Sequence, residues 1–493
     1  MDAPLCRHHA RRRVVAPRRG AAAGRATLRW ARAGARRGPR AHPLRGGVCA
    51  LGVGLRRVDG GRAAGCEVNT VSNRAKPSPV PTRIRQRLIE LLRVPSFTGE
   101  EGDAVALLAG WLAALPGVSV DHWEQPIAEL ESHPNYPGRE VERTMVPGVA
   151  ALLRGRRPGP RRVLTGHVDV VPVGAGWTRA PFGAEVEGER IFGRGACDMK
   201  GGVISALEAF TVVAEAHRLG VDAAADFAGE LLFVGVSGEE DGGCGTLSAI
   251  VRGWTGDEVV IAEPTHQRGV PTIVIAHGGA LTYTLTVAGR SAHASKRLEG
   301  ESALDHFWTL CDAMRRGEME LNAAETEPVM RALGLPYPTS IGRVQGGEWS
   351  SSVMDKLWAE VRVGVSIHET IGEADARFRQ TVLGACQGSP WLMAHSPGIE
   401  RTGAAFASAH LSPTDPLVHS LAAAAASEWT SSVELAGAPY GCDMALWLRA
   451  GGASTVVFGP GDVALAHAPD EWVSLREVEE VARVLVRWVL GES

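Results

Sequence analysis

Histidine and carboxylate side chains recur in five short segments of this chain, and each segment adjoins an apolar run with glycine or proline nearby. The residues are His167 and Asp169 in TGHVDVVP, Asp198 in GRGACDMKGG, Glu239 and Glu240 in SGEEDGGCGT, Glu263 in IAEPT, and His467 in GPGDVALAHAPDEWV. Each has an ordinary structural explanation when taken alone, since an Asp before a helix is commonly an N-cap and paired Glu residues are commonly solvated. Acids gathered at one sheet edge, however, repel one another unless a cation compensates them. The combination therefore indicates a cation site.

The ligand types indicate which cation such a site would take. Imidazole and carboxylate ligands without a thiolate suit zinc, with cobalt or manganese as alternatives. Two His and three carboxylates are enough for two ions that share one bridging carboxylate and one bridging water. One Glu then stays off the metals as general base. The adjacent pair Glu239 and Glu240 suits this division, because neighbouring side chains on an extended segment point apart.

The elements that must position these residues have the pattern of an α/β domain. The predicted strands, apolar runs typical of strands buried on both faces, are 149–155, 161–171, 230–237, 257–264 and 454–460. The predicted helices are 82–93, 101–115, 201–219, 415–428 and 474–490. Their alternation predicts a mixed sheet with helices on both faces. The candidate residues lie where strands end, which is where α/β sheets place their sites.

The middle of the chain has a different pattern. The stretch ALTYTLTVAG at 280–289 alternates apolar and polar residues, as a half-exposed strand does. The predicted elements that follow are a helix at 302–316, strands at 339–345 and 353–366, a helix at 372–386 and a strand at 398–406. The order βαββαβ is that of a ferredoxin-like sandwich, which predicts a second domain inserted into the first. The predicted parts are therefore a leader at 1–78, catalytic parts at 79–276 and 409–493, and an inserted domain at 277–408.

The distribution of charge along the chain limits the classes of function that the protein can have. Residues 1–75 hold 17 Arg against three acids, about +14, so with a net charge of -3 the remainder carries about -17. An acidic body argues against nucleic acid as a partner. The Arg-rich leader cannot bury a core and is predicted to be disordered. A transit peptide, a basic binding tail and an upstream extension outside the working protein stay open as its explanation, and we favour the last.

The sequence lacks disulfide-type cysteine pairs and membrane-spanning runs, and both features bear on the cellular location we expect. The eight Cys form no CxxC pair, which predicts free thiols in a reducing cytosol rather than a disulfide framework. No apolar run approaches the length of a membrane span. We therefore expect a cytoplasmic protein without a membrane or nucleic-acid partner.

Six motifs, in chain order, resemble those of one enzyme family. They are GHVDVVP, GRGACDMKGG, SGEEDGG, IAEPT, GRSAHAS and AHAPDE. They are similar to the metallopeptidase and deacylase family that includes acetylornithine deacetylase, succinyl-diaminopimelate desuccinylase, aminoacylase and glutamate carboxypeptidase. The resemblance covers about 80–490. It implies a zinc-exopeptidase-like catalytic domain, an inserted lid or dimerisation domain, and a homodimer.

The resemblance also implies a role for each matching residue. His167 and Glu263 are implied to bind one ion, and Glu240 and His467 are implied to bind the other. Asp198 is implied to bridge the two ions. Asp169 would orient His167 by accepting its second ring proton. Glu239 would be the general base that deprotonates the attacking water and then protonates the leaving amine.

Further residues are implied in substrate binding and oxyanion stabilisation. His293 in GRSAHAS is implied to reach the site, commonly from the partner subunit, and to stabilise the tetrahedral oxyanion, while capping of a strand-to-helix turn is its ordinary alternative. Arg362 in AEVRV matches a position that contacts a substrate carboxylate, and it equally suits a structural role on its strand. Gly441 and Asp443 in PYGCDMALW match a Gly-rich segment before an Asp. This segment and QGGEWSSSV (345–353) depart from the commonest family sequences, which leaves the substrate open.

The sequence therefore predicts a di-metal amidohydrolase that cleaves an N-acyl amino acid, as acetylornithine deacetylase and succinyl-diaminopimelate desuccinylase do. A metallo-dipeptidase or carboxypeptidase with the same site is the alternative. A non-catalytic relative that uses the fold for binding is a third hypothesis. The presence of all five implied ligands and the base argues against it.

Overall fold

The computed structural model describes residues 79–429 and 433–491, so the leader predicted for 1–78 lies outside the described residues. The helices are α1 (Pro81–Leu92), α2 (Gly102–Ala113), α3 (Gly201–Leu219), α4 (Asp222–Ala225), α5 (Cys244–Val251), α6 (Ala303–Ala323), α7 (Pro328–Arg331), α8 (Ile371–Cys386), α9 (Pro390–Ala394), α10 (Pro416–Ala426), α11 (Met444–Arg449) and α12 (Leu475–Leu490). The strands are β1 (Ser119–Pro126), β2 (Met145–Arg154), β3 (Arg157–His167), β4 (Glu185–Glu187), β5 (Arg190–Phe192), β6 (Ala228–Val236), β7 (Glu258–Ile261), β8 (Thr272–His277), β9 (Gly279–Ala288), β10 (Thr339–Gly346), β11 (Lys356–Val365), β12 (Gly398–Phe406), β13 (Ala409–His410), β14 (Glu434–Ala438), β15 (Ser454–Val457) and β16 (Trp472–Ser474). None of these helices is both long and apolar enough to span a membrane.

A nine-stranded mixed sheet is the frame of the catalytic domain. Its order is β1-β2-β6-β3-β7-β15-β8-β13, and β14 pairs with β8 beside this path. Strand β3 runs parallel to both β6 and β7, so the carboxyl ends of these three strands lie at the same edge. Consecutive residues of β6 and β8 are buried. Because successive side chains of a strand point to opposite faces, both faces of this sheet are covered.

Helices α3 and α12 pack against each other and form much of this cover. Nearly every residue of α3 is buried, as expected of a helix in the middle of a domain, and Gly220 ends it with a φ of +65°. Helix α12 is amphipathic instead. The Ser474 hydroxyl accepts the N–H of Glu477 as an N-cap, and Gly491 ends the helix with a φ of +68°.

The inserted domain has its own sheet and its own core. Elements β9, α6, β10, β11, α8 and β12 follow the order βαββαβ, and the four strands pair antiparallel in the order β10-β11-β9-β12. Strand β9 alternates buried and half-buried residues, which places Leu281, Tyr283 and Leu285 in a core separate from that of the catalytic domain. The predicted ferredoxin-like α+β architecture is confirmed.

The predicted helices and strands are present, with different ends. Strand β3 ends at His167 rather than 171, because the chain then turns and the N–H of Val170 donates to the carbonyl oxygen of Ser96. Helix α6 continues to Ala323 rather than stopping at 316. The elements that were not predicted are strands β1, β4, β5, β8, β13, β14 and β16 and the short helices α4, α5, α7, α9 and α11. Strand β8 lies directly before the inserted domain, where two apolar runs follow each other with only Gly278 between them.

Candidate metal centre

The carboxyl ends of β3, β6 and β7 bring the candidate residues to one place. His167 is the last residue of β3, Glu239 and Glu240 follow the end of β6, and Glu263 follows the end of β7. Because the three strands are parallel neighbours, residues at their carboxyl ends converge although they are far apart in the chain. All four residues are at most partly exposed, and His167 is 1% exposed.

Asp198 lies between the two histidines of the cluster. Its Oδ1 is 3.2 Å from Nε2 of His167, and its Oδ2 is 3.3 Å from Nε2 of His467. Oε1 of Glu263 is 3.2 Å from Nε2 of His167, and Oε1 of Glu240 is 3.0 Å from Nε2 of His467. Each histidine thus has one carboxylate of its own and shares Asp198 with the other.

Two sets of side chains in this cluster are compact enough to hold an ion. The sets are His167 with Glu239 and Glu263, and His167 with Asp198 and Glu240, and within each set the ligand atoms lie within 4.8 Å of one another. The donors are imidazole nitrogen and carboxylate oxygen, which suit zinc, cobalt or manganese. In its donor chemistry the cluster therefore fits a divalent metal.

The burial and crowding of the carboxylates favour a cation at this site. Burial, reinforced by Glu263, raises the pKa of Glu239 well above its ordinary value. Burial and the neighbouring Asp198 raise the pKa of Glu263 to about 8, and the same two causes raise the pKa of Glu240. Crowded and buried carboxylates take up protons unless another positive charge compensates their negative charge. A divalent cation supplies that charge.

The pKa values of the two histidines are raised as well, by the carboxylates around them. Hydrogen bonds to Asp198 and Glu240 raise the pKa of His467 to about 10. Burial lowers the pKa of His167, but the carboxylates around it outweigh burial and raise the pKa well above its ordinary value. Imidazole must be neutral to bind a metal, so a metal that binds here would release these protons.

Asp169 lies behind His167 and is fully buried. Nδ1 of His167 is 3.0 Å from the backbone oxygen of Asp169 and 3.4 Å from its Oδ1. The Asp169 carboxylate also accepts the backbone N–H groups of Glu239 at 3.2 Å and Glu240 at 3.1 Å. Asp169 therefore contacts both the histidine and the loop that carries the paired glutamates.

A cavity of about 500 Å³ opens onto the cluster. Among the residues that line it are Asp198, Glu239, Glu240, Glu263 and His467 of the cluster, Arg362 and Phe406 of the inserted domain, and Glu140, Tyr440 and Gly441. The Arg362 guanidinium lies 5.3 Å from the centre of the Phe406 ring. Gly441 packs so closely on this ring that an added Cβ would come within 2.5 Å of the Phe406 Cβ. The inserted domain thus forms one wall of the cavity.

Besides His167 and Asp169, two predicted residues lie outside the cavity lining. Asp443 is buried beside it and accepts the Thr246 hydroxyl at 2.6 Å, and burial raises the pKa of Asp443 to about 6. His293 is exposed, and its Nδ1 accepts the N–H of Ser295 as the N-cap of the short turn Ala294–Glu299. Within one chain His293 therefore has the capping position that was its ordinary alternative. Its approach to a site from a partner subunit stays a prediction.

Sequence reasoning missed Glu471, which holds the turn that presents Asp198. Its buried carboxylate accepts the backbone N–H groups of Cys197 at 2.9 Å and Asp198 at 3.1 Å. The Arg194 guanidinium donates to the same carboxylate at 2.6 Å. The signal was present in the chain, because Glu471 is the last residue of the AHAPDE motif that begins beside His467.

Comparison with known proteins identifies the family. The model of peptidase family M20/M25/M40 matches residues 163–491, more than half of the chain. The chain belongs to this family. A fold neighbour of the M20 chain is an M20 family metallo-carboxypeptidase from Sulfolobus solfataricus, with a TM-score of 0.64 and 17% identity over 83% of this chain and 99% of that one. This likeness shows the fold.

Two curated relatives of the M20 chain are deacylases by name. The N-formyl-4-amino-5-aminomethyl-2-methylpyrimidine deformylase of Halalkalibacterium halodurans is 27% identical over 368 residues, 70% of this chain and 82% of that protein. The succinyl-diaminopimelate desuccinylase of Methylobacterium sp. (strain 4-46) is 35% identical over 256 residues, 50% of this chain and 58% of that protein. The family makes this M20 protein a metal-dependent amide hydrolase.

Proposed function

We propose that this M20 hydrolase cleaves the amide bond of an N-acyl amino acid at a two-metal site. The observation that carries the proposal is the position of Asp198, whose two carboxylate oxygens face His167 and His467 on opposite sides. We assign Glu263 with His167 to one ion and Glu240 with His467 to the other, joined by Asp198 as the shared carboxylate. Glu239, which is also close enough to His167 and Glu263 to bind an ion, is left off the metals in this assignment. When bound, two divalent ions, zinc by donor type, supply Lewis-acid activation of the scissile carbonyl and of water.

Glu239 is the proposed general base. Its carboxylate lines the cavity, and its Oε2 is 4.0 Å from Nε2 of His167. Because Asp169 accepts the N–H of Glu239, the backbone beneath this side chain is held in place. In this position Glu239 takes a proton from the attacking water and passes it to the leaving amine.

The proposed substrate class rests on the cavity wall and on the relatives. Arg362 can bind a substrate carboxylate through two parallel hydrogen bonds, as guanidinium groups do, and Gly441 lines the cavity beside it. The names of the deformylase and the desuccinylase describe removal of an acyl group from an amine, which favours deacylation. Asp443, two residues after Gly441, accepts a hydrogen bond from Thr246 of helix α5, which follows the loop of the paired glutamates.

The test is metal content together with turnover of N-acetylornithine, N-succinyl-diaminopimelate and a dipeptide panel. About two ions per chain with turnover of one acyl amino acid would support the proposal. Turnover of dipeptides alone would favour the metallo-dipeptidase or carboxypeptidase alternative, which uses the same site. A protein that binds no zinc, cobalt or manganese would contradict the metal site itself.

We also propose a homodimer formed through the inserted domain. Several large apolar side chains of this domain are exposed, among them Leu298 at 94%, Trp349 at 72% and Trp308 at 61%. In such a dimer His293 of one subunit would stabilise the oxyanion in the other. Mixing Glu239→Gln and His293→Ala proteins tests this, because each mixed dimer contains one site with both groups. An equimolar mixture, in which about half of the dimers are mixed, would regain about a quarter of the wild-type activity. No recovery in a mixed dimer would contradict the shared site.

The proposed location is the cytoplasm, with no nucleic-acid or membrane partner. The cysteines of the described chain, from Cys197 to Cys442, are free and buried, which suits a reducing compartment. Fractionation of the source cells would test the location.

A further inference from the structure

Glu140 is the acidic residue of the cavity lining that belongs to no part of the metal cluster. Glu140 lines the cavity that opens onto the cluster. It also lines a second cavity of about 490 Å³ between the catalytic domain and strands β10 to β12. Arg362 lines both cavities as well. Glu140 and Arg362 therefore border both cavities, one with negative and one with positive charge.

The backbone of Glu140 is held by the loop that carries the paired glutamates. The N–H groups of Glu140 and Val141 both donate to Oδ1 of Asp241, the latter at 3.0 Å. Asp241 directly follows Glu240, is fully buried, and lies 3.2 Å from the Nε of Arg143. The position of Glu140 is thus tied to that of the site.

The inserted domain leaves a space for the Glu140 carboxylate. Gly403 in β12 has a φ of +66°, and a Cβ added there would lie 3.0 Å from Oε1 of Glu140. Close by, the N–H of Ala405 donates to the carbonyl oxygen of Pro137 at 2.7 Å, which joins the Glu140 loop to β12. The φ of Gly403 favours glycine, and the Glu140 side chain lies against its backbone.

The arginines near Glu140 form ion pairs with other carboxylates. Arg139 is paired with Glu131 at 2.7 Å, and Arg343 is paired with Glu360 at 3.0 Å. In the described parts of the chain, 79–429 and 433–491, no basic nitrogen lies within the 4.0 Å ion-pair distance of the Glu140 carboxylate. Glu140 is therefore available to a ligand.

We infer that Glu140 selects substrates that carry a protonated amine, while Arg362 binds their carboxylate. The inference rests on the proposed function and narrows its substrate class to molecules with both an ammonium and a carboxylate group. Two sources share this chemistry, an N-acyl amino acid with a basic side chain and a dipeptide with a free amino terminus. The amine is held by charge and hydrogen bonding to Glu140 and takes no part in bond breaking.

The experiment compares N-acetylornithine with N-acetylnorvaline, which has the same side-chain carbons but no amine. We expect the metal-loaded wild type to prefer N-acetylornithine in kcat/KM. In Glu140→Gln the ratio of the two kcat/KM values should fall about tenfold, mainly through KM, because one charge-assisted hydrogen bond is lost. Glu140→Lys should shift the preference to N-acetylglutamate. A dipeptide compared with its N-acetylated form distinguishes the α-amine from the side-chain amine as the group recognised.

Glu142→Gln is the matched control. Glu142 lies two residues away, its side chain is 92% exposed, and its carboxylate pairs with Arg139 rather than lining the cavity at the metals. This variant should keep the wild-type ratio. An equal fall for both substrates in Glu140→Gln, or an unchanged ratio, would overturn the selection. So would a wild type that prefers N-acetylnorvaline, although the proposed function would then stand. Metal-loaded wild type that hydrolyses no acyl amino acid would overturn the proposed function as well.

Discussion

The catalytic and inserted domains hold their charged residues in different ways. In the catalytic domain, the Arg143 side chain is 1% exposed and pairs with Glu101 and Asp241, which are equally buried. In the inserted domain, the pair Arg343 and Glu360 lies at the surface, with the two side chains 66% and 35% exposed. Buried Glu325, which accepts the hydroxyl of Tyr337, is an exception there.

The difference in the burial of charged side chains follows from what each domain contributes to the site. A buried ion costs desolvation that its partner must offset, so buried charge is typical of places where position matters. The catalytic domain buries charge around the loops that carry Asp169, Asp198 and Glu239. The inserted domain has an apolar core and supplies a wall of the cavity. Changes to charge should therefore matter far more in the first domain than in the second.

Removal of the metal should have the largest effect. Dialysis against a chelator should abolish amide hydrolysis and lower Tm, because the carboxylates around Asp198 would lose the cation that offsets their repulsion. Activity assays and thermal melts before and after addition of zinc or cobalt would measure this. Full activity in the metal-free protein would mean that the buried carboxylates of the catalytic domain do not serve a metal.

Glu239→Gln should have the next largest effect. We expect kcat to fall by ~10²–10⁴-fold with metal content unchanged, because the variant keeps the shape of the side chain but cannot accept the proton. The control is Glu320→Gln, an exposed acid in α6 of the inserted domain, which should keep wild-type kcat. Normal metal binding with near-full activity in Glu239→Gln would show that another group is the base.

A pair of arginine substitutions tests the comparison most directly. Arg143→Met leaves Glu101 and Asp241 buried without a counter-charge, so we expect a loss of about 3–5 kcal/mol in the free energy of unfolding. Arg343→Met, the same change at a surface pair, should cost less than about 1 kcal/mol. Urea unfolding of both variants gives the two values, and similar losses would mean that burial does not separate the domains.

The smallest predicted effect concerns His277, at the junction of the domains. It is fully buried, its Nε2 has no hydrogen-bond partner in the described chain, and burial, assisted by Arg449, lowers its pKa to about 4. The unfolded chain binds this proton near pH 6.5, so acidification from 6.5 to 4 favours unfolding, by up to about 3 kcal/mol.

His277→Gln should remove this contribution. Its free energy of unfolding should fall less steeply than that of the wild type between pH 6.5 and 4, as measured by urea unfolding at several pH values. Parallel curves would show that His277 does not titrate as its burial requires.

Local periodicity predicted most of the architecture. Continuous apolar runs predicted β3, β6 and β7, and the alternation in β9 predicted a strand with one solvent-facing side. Strand β8 was not predicted because no local sequence feature separates it from β9. Its identity depends on pairing with β13, β14 and β15, which come from the far end of the chain.

The types of residue in the motifs determined the chemistry of the protein, because imidazole and carboxylate are the donors that a zinc-type ion prefers. Only the tertiary structure decided which atoms meet. It placed Asp198 between the two histidines, directed Asp443 towards Thr246, and brought Glu140 to the cavity. The reason is physical, since these contacts join residues as far apart as Glu240 and His467, 227 positions along the chain. Glu240 follows β6 and His467 follows β15, and the parallel pairing of β6, β3, β7 and β15 brings these two loops to one edge of the sheet. No local pattern encodes that pairing.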